Sequence, residues 1–284
     1  MKQYKTVLKE AEASLSISGQ EKRIASILLD EMFDLNLSQL MIRENDWMPK
    51  EDYDAFIEVI NRVKNNEPYQ YVLGRAYFYD IYFKVTRDTL IPRPETEELV
   101  YYVLNQEKDQ GLNVADIGTG TGAIGLSLAR HWKQNKVTVT DISKETLAVA
   151  KENGQNLGVE VSYLKGDLLT PLREAGIEYD VIVSNPPYIS EDETHLMTPS
   201  VLEYEPHQAL FADDNGLALY KEMILNLDGV LSKGGRVYFE IGFLQGPPLL
   251  EFIKDIDQIS NPVIIKDINE QDRILHFTWG EDDD

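Results

Sequence analysis

Apolar residues in the first 65 positions recur at helical spacing. Phe56, Val59, Ile60 and Val63 fall at i, i+3, i+4 and i+7 within 50–64, which places them on one buried stripe of a helix. Ile24, Ile27, Leu28 and Met32 nearly repeat the pattern, and Gly19 and Met48-Pro49 punctuate the runs. From Tyr69 the texture changes. Tyr69, Tyr71, Tyr77, Phe78, Tyr79, Tyr82 and Phe83 put seven aromatic rings into fifteen residues, with an alternation that suits a strand pair. The expectation is a hairpin that joins two domains, its rings packed onto a core.

After Ile91-Pro92-Arg93-Pro94, where two prolines suit a stiff turn into a helix start, strand and helix patterns alternate. Strands are expected at 113–117, 136–140, 160–164, 179–184, 236–241, 263–266 and 274–279. Helices are expected at 122–131, 144–156, 217–228 and 245–255. Such alternation argues a mostly parallel seven-stranded sheet covered on both faces, with ligands at the C-terminal ends of the strands. No long helical pattern separates the last two strands, so the sheet should end in an antiparallel pair. The chain therefore reads as an all-helical domain (1–70), a β-hairpin linker (71–90) and an α/β domain (91–284), with the EDDD tail a solvated end.

Composition narrows the chemistry. The 284 residues include no Cys, which removes disulfides, thiol nucleophiles and cysteine-ligated metal sites and suits a reducing cytoplasm. There is no apolar run long enough to span a bilayer and no apolar core to a leader at the start, so a soluble, cytoplasmic protein is expected. The net charge of −22 is unevenly placed, −3 over 1–90 and −19 over 91–284. Between Arg173 and Lys221 there is no Lys or Arg but ten acids. Phosphate-gripping proteins need basic groups near the phosphates, so this gap weighs against a nucleic-acid substrate.

Two motifs carry chemistry. The first is the strand-to-helix turn Asp116-Ile117-Gly118-Thr119-Gly120-Thr121-Gly122, whose glycines let a ligand approach main-chain N–H groups. It also fits a dinucleotide fingerprint, and Asp141 at the end of the next strand could accept ribose hydroxyls in NAD or in S-adenosylmethionine alike. The second is Asn185-Pro186-Pro187-Tyr188, directly after an expected strand. Average usage predicts about 0.01 chance occurrences of such a motif in a chain of this size. Two prolines fix the backbone so that the Asn185 side-chain oxygen and the Pro186 carbonyl can both accept from one planar –NH2 group, and Tyr188 offers a flat face. His131, His195, His207 and His276 are scattered and read as surface or packing residues.

Together the glycine turn and the NPPY motif resemble class I S-adenosylmethionine-dependent methyltransferases that act on planar amino groups. Over almost the whole length the chain is similar to the peptide-chain release factor glutamine N5-methyltransferases. The segments carrying this are Glu67 to Gly74, Leu90 to Glu97 (LIPRPETE), the glycine turn, Ser184 to Tyr188, Glu203-Tyr204-Glu205-Pro206, and Gly242 to Gly246. The resemblance implies a class I methyltransferase (Rossmann-like) domain behind a small helical domain. It also implies S-adenosylmethionine as methyl donor without a metal, and as acceptor the glutamine of a Gly-Gly-Gln motif in class 1 release factors, with no direct nucleic-acid or membrane partner. It implies that Gly118, Thr119, Gly120, Thr121 and Gly122 hold the methionine and ribose part of the cofactor, Asp141 the ribose, and Asp167 and Leu168 the adenine. Asn185, Pro186, Pro187 and Tyr188 would clamp the glutamine amide, with Asn185 also near the cofactor. Asp116 is expected to order the loop and 91–97 to wall the acceptor channel. Methylation of a ribosomal-protein glutamine, methylation of adenine N6 in nucleic acid, and a non-enzymatic nucleotide-binding scaffold remain the competing readings. The last gives NPPY nothing to do.

Overall fold

The structure, a computed structural model, describes residues 2–280; the expected solvated tail at 281–284 lies outside them. Helices α1 (Tyr4–Ile17), α2 (Ile24–Phe33), α3 (Leu37–Ile42), α4 (Lys50–Lys64) and α5 (Tyr69–Leu73) open the chain. They are followed by the strands β1 (Arg75–Phe78) and β2 (Ile81–Lys84). Next come α6 (Pro94–Gln106), β3 (Asn113–Ile117), α7 (Ala123–His131), β4 (Lys136–Asp141), α8 (Lys144–Leu157), β5 (Ser162–Lys165), α9 (Thr170–Ala175) and β6 (Tyr179–Ser184). The chain closes with α10 (Pro199–Tyr204), α11 (Ala218–Leu225), β7 (Leu231–Glu240), α12 (Gly246–Ile253), β8 (Ile259–Lys266) and β9 (Asp272–Trp279).

The chain divides into two compact units. The first comprises the residues up to Gly74 together with Thr198–Tyr204. Its core is the stripe read from the sequence: Phe56, Ile60 and Val63 of α4 are buried against Tyr4, Val7, Ala11 and Leu15 of α1 and Leu28 and Leu29 of α2. Glu51 and Asp52 in the first turn of α4, and Arg62 and Lys64 in the last, complement the helix dipole. The Tyr204 hydroxyl donates to the Asn65 carbonyl at 3.1 Å and ties α10 into this unit. Among the described residues no helix is long and apolar enough to cross a membrane.

One expectation is corrected at the seam of texture. The strand pair does not begin at Tyr69, because Pro68 precedes a helical turn that Gly74, left-handed at φ +71°, terminates. The hairpin starts at Arg75, pairs Ala76 with Phe83 and Phe78 with Ile81, and belongs to the second unit. Its rings split by face. Phe78 and Phe83 are buried, while Tyr77 and Tyr82 lie edge to face on the exposed side with centroids 5.2 Å apart. Asn153 of α8 pins the hairpin: its amide donates to the Lys84 and Thr121 carbonyls at 3.0 and 2.9 Å and its oxygen accepts from Lys84 N–H at 2.7 Å.

The second unit is built on a seven-stranded sheet of order β5-β4-β3-β6-β7-β9-β8. The strands from β5 to β7 run parallel, and β9 pairs antiparallel with both β7 and β8, so the antiparallel end is as expected. β7 starts earlier than the hydrophobic pattern indicated, at Leu231, which pairs with Tyr179; the register against β6 then shifts before Arg236, while Gly235 pairs with Trp279 of β9. Apolar residues cover both faces. Ile182, Val237, Phe239 and Phe277 pack with Tyr220, Ile224, Leu249 and Ile253 of α11 and α12. Val114, Val139, Val181 and Val183 pack with Leu99 and Val103 of α6, Leu126 of α7, and the hairpin rings. Each fully buried side chain of this size contributes about 1.5–3 kcal/mol relative to exposure. The strand order reverses between β3 and β6, which opens a crevice at their C-terminal ends.

Candidate active site at the strand C-termini

The glycine turn leaves β3 at Ile117, and the NPPY turn leaves the neighbouring parallel strand β6 at Ser184. Ile117 and Ser184 are register partners. Parallel neighbours lie about 4.8 Å apart, so the two motifs emerge side by side. The Ser184 hydroxyl donates to the Ile117 carbonyl at 2.7 Å and locks that register at the rim.

Asp116 organises the glycine turn from beneath, as the sequence implied. It is fully buried, and its Oδ2 accepts from the Thr119 hydroxyl at 2.5 Å and the Gly125 N–H at 2.9 Å. Burial pushes its carboxyl up to about 7 against the lowering effect of those two bonds. Gly118 and Gly120 adopt φ of +68° and +58°, and a side chain at either would project into open space. Those two residues stay accessible, whereas Thr119, Thr121 and Gly122 are buried. Thr119 is committed to the scaffold, its hydroxyl on Asp116 and its N–H on the Thr140 carbonyl at 2.8 Å.

Asp141 stands at the end of β4. Its oxygens accept from Gly120 N–H at 3.1 Å and Ser143 N–H at 2.9 Å, and burial raises its carboxyl above the usual carboxylate range. Each oxygen keeps a lone pair for a further donor. The Asp141 carbonyl accepts from Gly166 N–H at 3.1 Å, which fixes the start of the Asp167-Leu168 turn on the next strand end. Asp167 is exposed, and Leu168 is half-buried with φ +43°. Ile142, not singled out in the sequence, is an exposed apolar side chain beside Asp141.

At the other motif the Asn185 amide nitrogen donates to the Thr96 hydroxyl of α6 at 3.1 Å. Pro186 is buried, while Pro187 and Tyr188 are half-buried. Burial pushes the Tyr188 phenol up to about 12. Gln245 holds the turn from behind: its Nε2 donates to the Tyr188 carbonyl at 3.0 Å while its Oε1 accepts from Gly242 N–H at 2.9 Å. Pro94 begins α6 as expected, and Glu205 braces the preceding segment, accepting from Ile91 N–H at 3.2 Å and from Arg93 at 2.6 Å.

Tertiary folding adds groups that sequence reasoning missed. Glu240, at the end of β7, is 1% exposed and lies beside Thr96 and Asn185, and its Oε2 has no partner. Burial pushes its carboxyl up to about 7. Its signal in the sequence is faint, a single acid after the apolar Val237-Tyr238-Phe239. The basic-free stretch in sequence is also not basic-free in space. Arg93 and Arg273 lie within electrostatic range of Tyr188, although Arg93 is paired with Glu205 and Arg273 with Asp267 at 3.0 Å.

Comparison with known proteins fits this geometry. Residues 96–213 match the family model "Methyltransferase small domain" and residues 6–74 match "PrmC N-terminal domain". The release factor glutamine methyltransferase of Staphylococcus aureus is 39% identical over 98% of this chain and 100% of its own. That of Enterococcus faecalis is 40% identical over 96% and 98%. Among solved structures, the hMettl16 catalytic domain in complex with the MAT2A 3'UTR hairpin 6 superposes with a TM-score of 0.56 at 18% identity over 81% of this chain and 83% of that one. At that identity the likeness speaks for the fold alone.

Proposed function

The chain belongs to the release factor glutamine methyltransferase family, and from that premise we propose that it transfers a methyl group from S-adenosylmethionine to N5 of the glutamine in the Gly-Gly-Gln motif of class 1 release factors. The observation that carries this reading is the adjacency of the two turns, one built to cradle a nucleoside and the other to grip a planar amide, on register-paired strands.

The residues present fit S-adenosylmethionine. The positive-φ glycines leave open space where any other residue would put a side chain, and Asp141 retains acceptor capacity at the adjoining strand end. Gly118, Gly120 and Asp141 would hold the methionine and ribose portions, and Asp167, Leu168 and Ile142 would flank the adenine. When bound, the group supplies a sulfonium methyl, an electrophile that needs no metal.

The protein's task is the acceptor. A primary amide nitrogen is a weak nucleophile because its lone pair is delocalised into the carbonyl. The Asn185 side-chain oxygen and the Pro186 carbonyl, accepting one N–H each, return electron density to that nitrogen and fix its line of approach. Catalysis is then orientation and electrostatics, with no dedicated general base. Tyr188 keeps its proton at any physiological pH, since burial holds its phenol at about 12. The helical domain, 1–70, serves as a docking module for a large protein substrate. Its removal should raise KM for whole release factor far more than for a short Gly-Gly-Gln peptide.

The test is incubation with labelled S-adenosylmethionine and purified release factor, with a ribosomal-protein fraction and bulk nucleic acid as alternative acceptors. Label is expected on the release factor glutamine; label on either alternative alone would overturn the reading. Asn185→Ala should keep cofactor affinity and lower kcat by about 100-fold or more, the scale of losing one preorganised group at a reacting centre.

A further inference from the structure

β6 has two parallel neighbours, and they flank the acceptor turn from opposite sides. β3 carries the glycine turn on one side, and β7 lies on the other, with Phe239 the register partner of Ser184. The NPPY turn and the chain after Glu240 therefore leave the sheet side by side, about 4.8 Å apart. A methyl group that arrives from the β3 side meets an amide nitrogen pointed to that side. The rest of the acceptor glutamine, and the chain that carries it, then lie toward β7.

What stands there is a four-residue turn, closed by the Gln245 N–H on the Gly242 carbonyl at 2.9 Å. The Gln245 side chain fastens that turn to the acceptor motif, donating to the Tyr188 carbonyl at 3.0 Å while it accepts from Gly242 N–H at 2.9 Å. A side chain at Gly242 would lie 3.4 Å from the Tyr188 ring, and one at Gly216 would lie 1.9 Å from the Tyr188 carbonyl oxygen, so the three segments are packed without slack. The middle of such a turn ordinarily holds Pro, Asn, Asp, Ser or Gly. Here it holds Phe243 and Leu244, 54% and 68% exposed. No charged residue occurs between Glu240 and Glu251 in a domain that is otherwise strongly acidic. A rigid, uncharged, apolar projection beside a reacting centre is the makeup of a binding surface.

We infer that Phe243 and Leu244 form an apolar lip that binds the substrate main chain flanking the acceptor glutamine, and so help to determine which glutamines are methylated. The inference rests on the reading of residues 185–188 as the amide clamp. Two glycines before the glutamine suit such a surface, because without side chains their peptide planes can lie flat against the Phe243 ring. A charged flank would instead be desolvated there without a partner. The lip touches neither the methyl donor nor the reacting nitrogen, so its contribution belongs to acceptor binding.

The experiment has two arms on the full chain carrying Phe243→Ala and Leu244→Ala together, with Tm as the check that the fold is kept. In the kinetic arm, methyl transfer to a short Gly-Gly-Gln peptide is compared with transfer to N-acetylglutamine methylamide, which has no flanking residues. The ratio of the two kcat/KM values is expected to fall by about 10-fold in the double variant, through KM for the peptide, the scale of truncating anchors at an interface. Phe243→Tyr, which keeps the flat ring, should retain most of the ratio. The second arm needs no turnover. The Kd of the same peptide for the enzyme loaded with S-adenosylhomocysteine, read by calorimetry, should rise by about 10-fold in the double variant. Equal losses on both acceptors, an unchanged Kd, or no binding of the peptide by the wild type would each overturn the inference. A wild type that binds the peptide but transfers no methyl group would instead overturn the clamp reading, and the Kd arm would still decide the lip.

Discussion

Glu107 and Glu240 are buried at opposite ends of one helix–strand contact and are treated in opposite ways. Alternation along β7 puts Arg236, Tyr238 and Glu240 on the face that α6 covers. At the far end Glu107, just past α6, is fully engaged: Arg236 donates to it through two nitrogens at 2.9 and 2.6 Å and the Tyr238 hydroxyl at 2.6 Å. His276 stacks on Tyr238 with centroids 4.4 Å apart. At the near end Glu240 faces a threonine and an asparagine and leaves one oxygen orphaned. The same residue type on the same scaffold is neutralised where the fold needs a fastening and left incompletely satisfied beside the proposed acceptor. The two ends thus differ in how far their carboxylates are paired, and Asp116 Oδ1 under the glycine turn is likewise buried without a partner.

The comparison breaks most sharply in stability. Glu107→Ala strands a half-buried guanidinium and a buried phenol, so a loss of about 3–5 kcal/mol is expected, read as a fall in Tm or in denaturant midpoint. The kcat of the molecules that stay folded should be unchanged. A loss under 1 kcal/mol would end the view of Glu107 as a fastening. Glu240→Gln should move the other way. An isosteric neutral group removes the cost of an ionised carboxyl held at about 7 instead of its ordinary 4.5, a gain of about 3 kcal/mol at pH 8.

The same contrast has a pH signature. A carboxyl raised in the folded state binds more protons folded than unfolded. Its favourable contribution is therefore fully present below the unfolded value and is lost as pH rises through the folded one. Glu240 and Asp116, both at about 7, should make stability decline between about pH 4.5 and pH 7. Glu240→Gln should flatten part of that slope. The smallest effect is expected at the back of the acceptor turn. Gln245→Leu frees the Tyr188 carbonyl and should cost about 1 kcal/mol of stability with a severalfold fall in kcat, measured by the same assays.

Much of this is legible in the sequence. The periodicity of 50–64 fixed a helix with the bounds Lys50–Lys64, and two sheet strands matched their expected limits. Both match where local pattern and long-range packing demand the same thing. The misreading at Tyr69–Leu73 arose because aromatic density is shared by strands and by short helices that bury rings, so the proline and glycine at its ends carried the decisive signal. The glycine turn and NPPY stood out because their chemistry is local, each contained within a few consecutive residues.

What sequence determined, then, is whatever depends on neighbours along the chain: the helices, the alternation that builds a mostly parallel sheet, and the identity of the two turns. What only the tertiary structure decided is which groups meet across it. Thr96, Asn185 and Glu240 are far apart in sequence and carry no shared spacing, and the Arg93 and Arg273 charges re-enter a stretch that is basic-free only when read linearly. The reason is physical. A hydrogen-bond polarity or a buried charge is a property of a three-dimensional neighbourhood, and strand order, not chain order, draws that neighbourhood together.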